Sequence, residues 1–104
     1  MQFLVLAFDQ RDETTPVRRR KARVAHIGGV RALKENGRFR DGGVLFDAEG
    51  RVIGSVLLLE FSTREELDRH LASDAYQTNE VWGTVNVYSA SFFKDEAPSK
   101  DTTQ

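Results

Sequence analysis

The chain has 104 residues, of which 39% are hydrophobic and 30% charged, and its 15 Lys and Arg against 16 Asp and Glu leave a net charge of −1. This is the composition of one soluble globular domain. The absence of cysteine excludes disulfides, thiolate metal sites, iron–sulfur clusters and a cysteine nucleophile, and favours a cytoplasmic location. No stretch approaches the roughly 20 apolar residues of a membrane helix, so we predict that the protein does not span a membrane.

Basic residues are concentrated in one part of the chain. Residues 11–40 contain ten Lys or Arg and three acidic residues, whereas residues 41–104 contain five Lys or Arg and twelve acidic residues. Clustered cations at residues 18–23 could contact phosphates. No aromatic residues interleave with them, however, and the overall charge is slightly negative. We therefore interpret the cluster as a solvated helix face and predict no nucleic-acid partner.

The first part of the chain predicts a strand and a long helix. Every position from 3 to 8 is apolar, which indicates a strand buried on both faces. Thr15 before Pro16 predicts the start of the helix, and Asn36-Gly37 predicts its end. The paired Gly28-Gly29 in its middle predicts close packing, a kink or a break. The apolar stripe of this helix is expected at Val24, Ile27, Val30 and Leu33.

The second part predicts a hairpin, a short helix and a last strand. Two apolar segments, 38–46 and 51–61, flank the turn 47–50, and the second is apolar on both faces at Val56 to Leu59. Ser62-Thr63 followed by Glu65-Glu66 predicts a capped helix that ends near Ser73. Residues 81–93 alternate as a last strand. We expect residues 1–94 to form the domain and residues 95–104 a disordered polar tail.

The element order is strand, helix, strand, strand, helix, strand, which predicts an α+β, ferredoxin-like fold with a four-stranded antiparallel sheet. Two helices cover only one face of such a sheet, yet several strands are apolar on both. A second copy of the chain would cover the other face, so we predict a homodimer built as a dimeric α/β barrel. The residues expected to point away from the helices are Phe3 or Leu4, alternate residues of Val56 to Leu59 including Leu57 or Leu58, and Val85 or Trp82.

His26 and Asp74 form the strongest catalytic candidate. His26 lies at the edge of the apolar stripe of the first helix, and Asp74 lies in an exposed turn after the second. Because both helices pack on the same side of the sheet, Asp74 could orient His26 as a carboxylate orients a general base. We expect the two side chains within hydrogen-bond reach, directly or through one water. A buried histidine with a structural partner and a turn-forming aspartate are the alternatives.

Two further residues, Arg23 and Ser55, belong to the same neighbourhood, and His70 is interpreted separately. Arg23, one turn before His26, could bind an anionic substrate, or could simply be a surface arginine. Ser55 follows Gly54 in the central strand and offers a hydroxyl in an apolar row, unless the pair only accommodates packing. His70 is interpreted as a structural residue that caps carbonyls or complements the helix dipole. Two histidines on separate helices are too few for a metal site, and no phosphate loop is present, so we predict neither metal nor cofactor.

The sequence resembles the YciI-like proteins, the family with the YCII-related domain, from about Met1 to Phe93. The motifs that carry the resemblance are Phe3-Leu4-Val5-Leu6-Ala7, Arg23-Val24-Ala25-His26, Asp47-Ala48-Glu49-Gly50, Val52 to Glu60, Ser62 to Glu66 and Ser73-Asp74-Ala75-Tyr76. The resemblance implies a ferredoxin-like dimeric α/β barrel and an active site built on His26 and Asp74, with Ser55 nearby. The chain differs from the family pattern in having Ala75 where proline is common, and Asp41-Gly42-Gly43 where Gly-Pro is common.

Two functions are compatible with this sequence. A relative in the family eliminates chloride from a hydroxylated aromatic ring, and muconolactone isomerases share the fold, so the resemblance implies proton transfer on a small cyclic or anionic compound. His26 and Asp74 would then be catalytic, and Arg23 and Ser55 would bind the substrate. The alternative is a non-catalytic dimeric module that binds a metabolite or a protein, in which the His26–Asp74 pair is structural.

Overall fold

A computed structural model gives the structure of the protein over residues 1–92. The predicted tail over residues 95–104 lies outside the described residues. The elements follow the predicted order with one addition, a short third helix. They are β1 (Gln2–Asp9), α1 (Thr15–Glu35), β2 (Phe39–Phe46), β3 (Val52–Glu60), α2 (Arg64–Ser73), α3 (Ala75–Thr78) and β4 (Trp82–Ala90).

The four strands form one antiparallel sheet in the order β2-β3-β1-β4, so the predicted ferredoxin-like fold is confirmed. The two central strands pair in register, with Val5 opposite Leu57 and Leu4 opposite Leu58. Alternate residues of β1, namely Phe3, Val5 and Ala7, are fully buried beneath the helices. The pleat explains this pattern, since successive side chains of a strand leave opposite faces.

The helix α1 runs without a break over the predicted range, and Gly37 follows it with a φ of 72°. The predicted apolar stripe was wrong at Val24, which is 84% exposed, whereas Leu33 is buried and Ile27 and Val30 are half-buried. The buried residues of α1 are Thr15, Ala22, His26 and Leu33. Ala22 and His26 are one turn apart and define the face that packs on the sheet. Gly28-Gly29 also departs from expectation, since both residues are exposed and a Cβ added to either would meet nothing within 4 Å.

The hairpin and the second helix confirm the sequence-based predictions. The hydroxyl of Thr63 accepts a hydrogen bond from the backbone N–H of Glu66, which caps the start of α2. The predicted exposed turn at Asp74 was wrong. Asp74 is only 8% exposed, because it ends α2 and at once begins α3.

A bulge interrupts the pairing of β1 with β4. Ala7 lies opposite Val85, whereas Asp9 lies opposite Trp82, so two residues of β4 stand against one of β1. The extra residue turns Trp82 toward the helices, where it is 1% exposed. Val85 also packs against the buried core. The prediction that either Val85 or Trp82 faces away from the helices was therefore wrong.

The second face of the sheet is apolar. Leu57 is buried beneath the helices, so its neighbour Leu58 points the other way, and Leu4 opposite it does the same. Their side of the sheet is partly accessible in the single chain. The residues at its centre are Leu4, Leu6, Val56, Leu58, Asn86 and Tyr88, and polar residues, namely Gln2, Asp41 and Glu60, lie around them.

Gly54 is the one position in the central strand where a side chain cannot be accommodated. A Cβ there would collide with the backbone carbonyl oxygen of Ala7, which no side-chain rotation can relieve. We expect Gly54→Ala to lower the free energy of unfolding by about 2 kcal/mol or more. Gly43→Ala is the matched control, since a Cβ added there meets nothing within 4 Å. Urea unfolding of both variants measures the difference, and equal stabilities would contradict this account.

Candidate active site

His26 and Asp74 are in direct contact. The Nδ1 atom of His26 lies 2.8 Å from Oδ1 of Asp74, and the two side chains are 8% and 5% exposed. The expected approach of these residues is therefore confirmed. An ionised carboxylate only accepts hydrogen bonds, so Nδ1 of His26 is the donor to Asp74. In the neutral form of the imidazole the proton therefore lies on Nδ1. The other nitrogen, Nε2, is then free to accept a proton.

Asp74 is held in place by the helix that it begins. The same oxygen, Oδ1, accepts the backbone N–H of Tyr76 at 2.9 Å, which makes Asp74 the N-cap of α3. The backbone N–H groups of Gln77 and Thr78 donate to the carbonyl of Asp74, both at 2.9 Å. These bonds hold the Asp74 carboxylate in place although position 75 is alanine and not the proline that is common in the family.

Aromatic rings enclose the imidazole. The Tyr76 ring stacks on His26 with 3.9 Å between ring centroids and 13° between planes. Trp82 presents its ring nearly perpendicular to both, with 6.0 Å between centroids in each case. Burial raises the pKa of the Tyr76 hydroxyl, although Arg19 and Arg23 oppose the shift. The hydroxyl therefore stays protonated at neutral pH.

Arg19 connects the aromatic rings to the sheet. Its Nη1 atom lies 2.7 and 2.8 Å from the two oxygens of Asp9, and its Nη2 atom donates to the hydroxyl of Ser55 at 3.0 Å. The guanidinium carbon also lies over the Tyr76 ring, 4.6 Å from the centroid. Burial raises the pKa of Asp9, and the ion pair with Arg19 opposes this change. Arg19 is thus a partly buried cation with its charge largely balanced by one carboxylate.

A cavity of about 140 Å³ opens beside His26. His26 and Tyr76 line it, together with Ser55 and Leu57 of β3. The Nε2 atom of His26 and the hydroxyl of Tyr76 have no hydrogen-bond partner among residues 1–92. The cavity is smaller than the roughly 300 Å³ of common drug-sized pockets, so it suits a small ligand.

Both of the other predicted binding residues line this cavity. Arg23 is exposed at its rim and forms no ion pair with residues 1–92. Ser55 is 2% exposed and accepts hydrogen bonds from Arg19 and from Nε1 of Trp82, the latter at 3.3 Å. Its own proton is left to donate. The structure thus brings Arg23, His26, Ser55 and Asp74 to one place.

His70 lies outside the cavity and packs beside Phe61, with 5.6 Å between ring centroids. Its Nε2 atom is buried and has no partner among residues 1–92, so it does not cap carbonyl groups through that atom. Burial lowers the pKa of His70, and the Asp74 carboxylate opposes the shift. Within the part of the chain that the structure describes, no group of three His, Cys, Asp or Glu could hold a metal ion. Nor is any described helix long and apolar enough to cross a membrane.

Asp9, Arg19, Tyr76 and Trp82 were missed by sequence reasoning. Arg19 was counted within the basic cluster, where Arg20 and Arg23 are exposed, and its contacts with Asp9 and Ser55 set it apart from them. Tyr76 carried a weak signal, since it stands two residues after Asp74. Trp82 was assigned to the wrong face because the bulge in β4 cannot be read from alternation.

The sequence and the fold were compared with those of known proteins. The model of the YCII-related domain matches residues 1–91. The chain belongs to this family. Among curated proteins, no match was found.

Two solved structures share the fold of this YCII-related domain. The first is the 5-chloro-2-hydroxyhydroquinone dehydrochlorinase TftG from Burkholderia phenoliruptrix AC1100, in complex with 2,5-dihydroxybenzoquinone. It has a TM-score of 0.77 at 21% identity, with 88% of this chain and 94% of that chain covered. The second is Rv0793 from Mycobacterium tuberculosis, with a TM-score of 0.56 at 21% identity and coverage of 92% and 100%.

The lowered pKa of His70 predicts a pH-dependent stability. Below about pH 6.5 the unfolded chain takes up a proton at this residue more readily than the folded protein does. The free energy of unfolding therefore decreases as the pH is lowered. We expect His70→Leu to reduce the slope of stability against pH between about pH 7 and pH 5. Urea unfolding at a series of pH values measures this slope, and an unchanged slope in the variant would contradict the assignment.

Proposed function

We propose that this YCII-related protein is a small-molecule enzyme in which His26, oriented by Asp74, transfers a proton on a small ring compound. The observation that carries the proposal is the contact of 2.8 Å between Nδ1 and the buried carboxylate, in a histidine that lines a cavity. A general base needs this arrangement, because the carboxylate fixes the tautomer and stabilises the positive charge that develops on the ring.

The ring of the substrate would occupy the cavity beside Nε2. Nε2 takes a proton from a hydroxyl or C–H group, and the electron pair moves into the ring. In a chlorinated ring the imidazolium first returns the proton to the carbon that carries chlorine, which gives a keto tautomer. Loss of a proton from a second ring hydroxyl then forms a C=O bond, and the electron pair expels chloride, which completes an elimination of HCl. In an unchlorinated ring the imidazolium returns the proton to a different atom, which gives an isomerisation. Both routes balance without an oxidant, a reductant or a metal.

Three other side chains are suited to hold the substrate. The Tyr76 and Ser55 hydroxyls each have a proton to donate toward an oxygen on the ring. Arg23, at the rim, has no carboxylate partner among the described residues and would attract an anionic oxygen. The dehydrochlorinase TftG supports this substrate class, since it acts on a chlorinated hydroxyhydroquinone and its structure holds 2,5-dihydroxybenzoquinone.

Changing His26 tests the catalytic role. We expect His26→Gln to reduce proton transfer by about 100-fold or more, because the base is lost. The measurements are chloride release from 5-chloro-2-hydroxyhydroquinone and exchange of the ring hydrogens of 2,5-dihydroxybenzoquinone in deuterated water. Asp68→Asn is a control, since Asp68 forms an exposed ion pair on the far side of α2 with Arg64.

The alternative is a non-catalytic binding module in which the pair is structural. It is favoured by the dense bonding of Asp74, whose Oδ1 serves both His26 and the Tyr76 backbone. In that case no exchange above the solvent rate is seen with the unmodified protein, and His26→Ala costs about 1 to 3 kcal/mol of stability through an orphaned partner. Thermal melts and exchange rates of the same variants separate the two functions.

We also propose that the protein acts as a homodimer joined through the apolar face of the sheet. Leu4, Val56 and Leu58 would otherwise remain accessible side by side, which soluble monomers seldom tolerate over a large area. Packing two such faces would bury upward of about 1,200 Å² and would leave both helical layers, with their cavities, on the outside.

Leu58→Asp tests the dimer, because it places a charge at the centre of the proposed interface. We expect the variant to sediment as a monomer or to unfold, while the unmodified protein sediments at about twice the mass of one chain. Val24→Asp is the control, since Val24 is exposed on α1, away from the sheet. A stable monomer of the unmodified protein in sedimentation would refute the proposal.

A further inference from the structure

The cavity beside His26 adjoins a much larger groove. The groove has a volume of about 1,320 Å³ and lies between the first half of α1 and the end of the sheet where β1 stops. It shares Arg19, Arg23, Val44 and Tyr76 with the cavity. A ligand whose ring fills the cavity can therefore extend a substituent into the groove past Arg23.

The carboxylates that line this groove are already paired. Asp9 binds Arg19 at 2.7 Å. Asp12 binds Arg18 at 2.9 Å, and hydrogen bonds from Arg18 lower the pKa of Asp12. Asp47 binds Arg51, also at 2.9 Å, and its pKa is lowered first by the backbone N–H of Arg51.

Three arginines of the groove have no such partner. Arg11, Arg20 and Arg23 form no ion pair and no side-chain hydrogen bond with any residue from 1 to 92. The three acids are each matched by one arginine, so these three cations leave the groove positively charged. Arg20 and Arg23 are three residues apart on α1, which places them as neighbours on the helix surface.

We infer that the substrate is a ring compound with an anionic oxyacid substituent, bound with its ring in the cavity and its acid group on Arg20 and Arg23 in the groove. The guanidinium fork pairs with the oxygens of a carboxylate or a phosphate. This inference rests on the proposed function, which places the ring beside His26. It adds the requirement for a second, acidic part of the substrate.

Trp82 provides a direct readout of binding. It is the only tryptophan of the chain, and its ring centroid lies 6.0 Å from those of His26 and Tyr76. The probes are homogentisate, a dihydroxyphenyl ring with an acetate chain, and its uncharged methyl ester. Phenyl phosphate tests the phosphate form of the same chemistry. Quenching or enhancement of Trp82 fluorescence gives the dissociation constant of each probe.

We expect the unmodified protein to bind homogentisate about tenfold more tightly than the ester at low salt, and the ratio to shrink as salt screens the charges. In the double variant Arg20→Gln and Arg23→Gln the ratio should fall to about twofold or less. Arg31→Gln is the matched control, because Arg31 is exposed on the same helix but outside the groove. It should keep the full ratio. If phenyl phosphate shows the larger arginine dependence, the substituent is a phosphate.

Equal dissociation constants for the acid and the ester with the unmodified protein would overturn the inference. The proposal that the ring binds in the cavity beside His26 would be unaffected. The same holds if the double variant keeps the full ratio. If Arg31→Gln also lowers the ratio of ester to acid dissociation constants, the preference for the acid comes from the net charge of the protein. This result would overturn the inference too. If neither probe binds and His26→Gln changes no proton transfer, the proposed function fails together with the substrate class. His26→Gln should weaken both probes alike without altering their ratio.

Discussion

The site depends on one oxygen atom, Oδ1 of Asp74. It accepts a hydrogen bond from the backbone of Tyr76 and another from the imidazole of His26, 48 positions earlier in the chain. The first bond starts a helix, and the second fixes which nitrogen of His26 carries the proton. Local and long-range structure are thereby joined at a single acceptor. Because the Tyr76 ring follows the cap directly, the same bond also brings that ring onto the imidazole.

A second constraint comes from burying charge in a small protein. The Asp9–Arg19 pair is largely shielded from water, and a buried pair stabilises only when its remaining hydrogen-bonding groups are also satisfied. Here the remaining donors of Arg19 reach the Ser55 hydroxyl and the Gly54 carbonyl, the latter at 3.4 Å. The pair thus holds β1, α1 and β3 together beneath the cavity. These contacts explain how so short a chain keeps a polar site in order.

Much of the fold and the central pair could be predicted from the sequence. Strand and helix limits follow from strong local signals, such as Thr63 before α2 and Gly37 after α1, and those elements confirm the expected order. The approach of His26 to Asp74 followed from topology, because both helices cover one face of the sheet. The buried face of α1 could not be predicted in the same way. Val24 is as apolar as a core residue, yet it is exposed, and the smaller Ala22 packs on the sheet instead. Which face of a helix is buried depends on the shape of the sheet surface that it packs against.

The bulge at the start of β4 has a consequence for how the length of this chain can change. Gly83 and Thr84 together face one residue of β1, and this extra residue is what turns the Trp82 indole inward to donate to Ser55. Deleting either residue would restore a regular ladder and carry the indole through to the opposite side of the sheet. The strand would still pair along its whole length. A single-codon deletion in this stretch would therefore preserve the fold while removing the ring that packs against His26 and Tyr76 and donates to Ser55. Homologues that lack the residue should support His26 with a side chain from another strand.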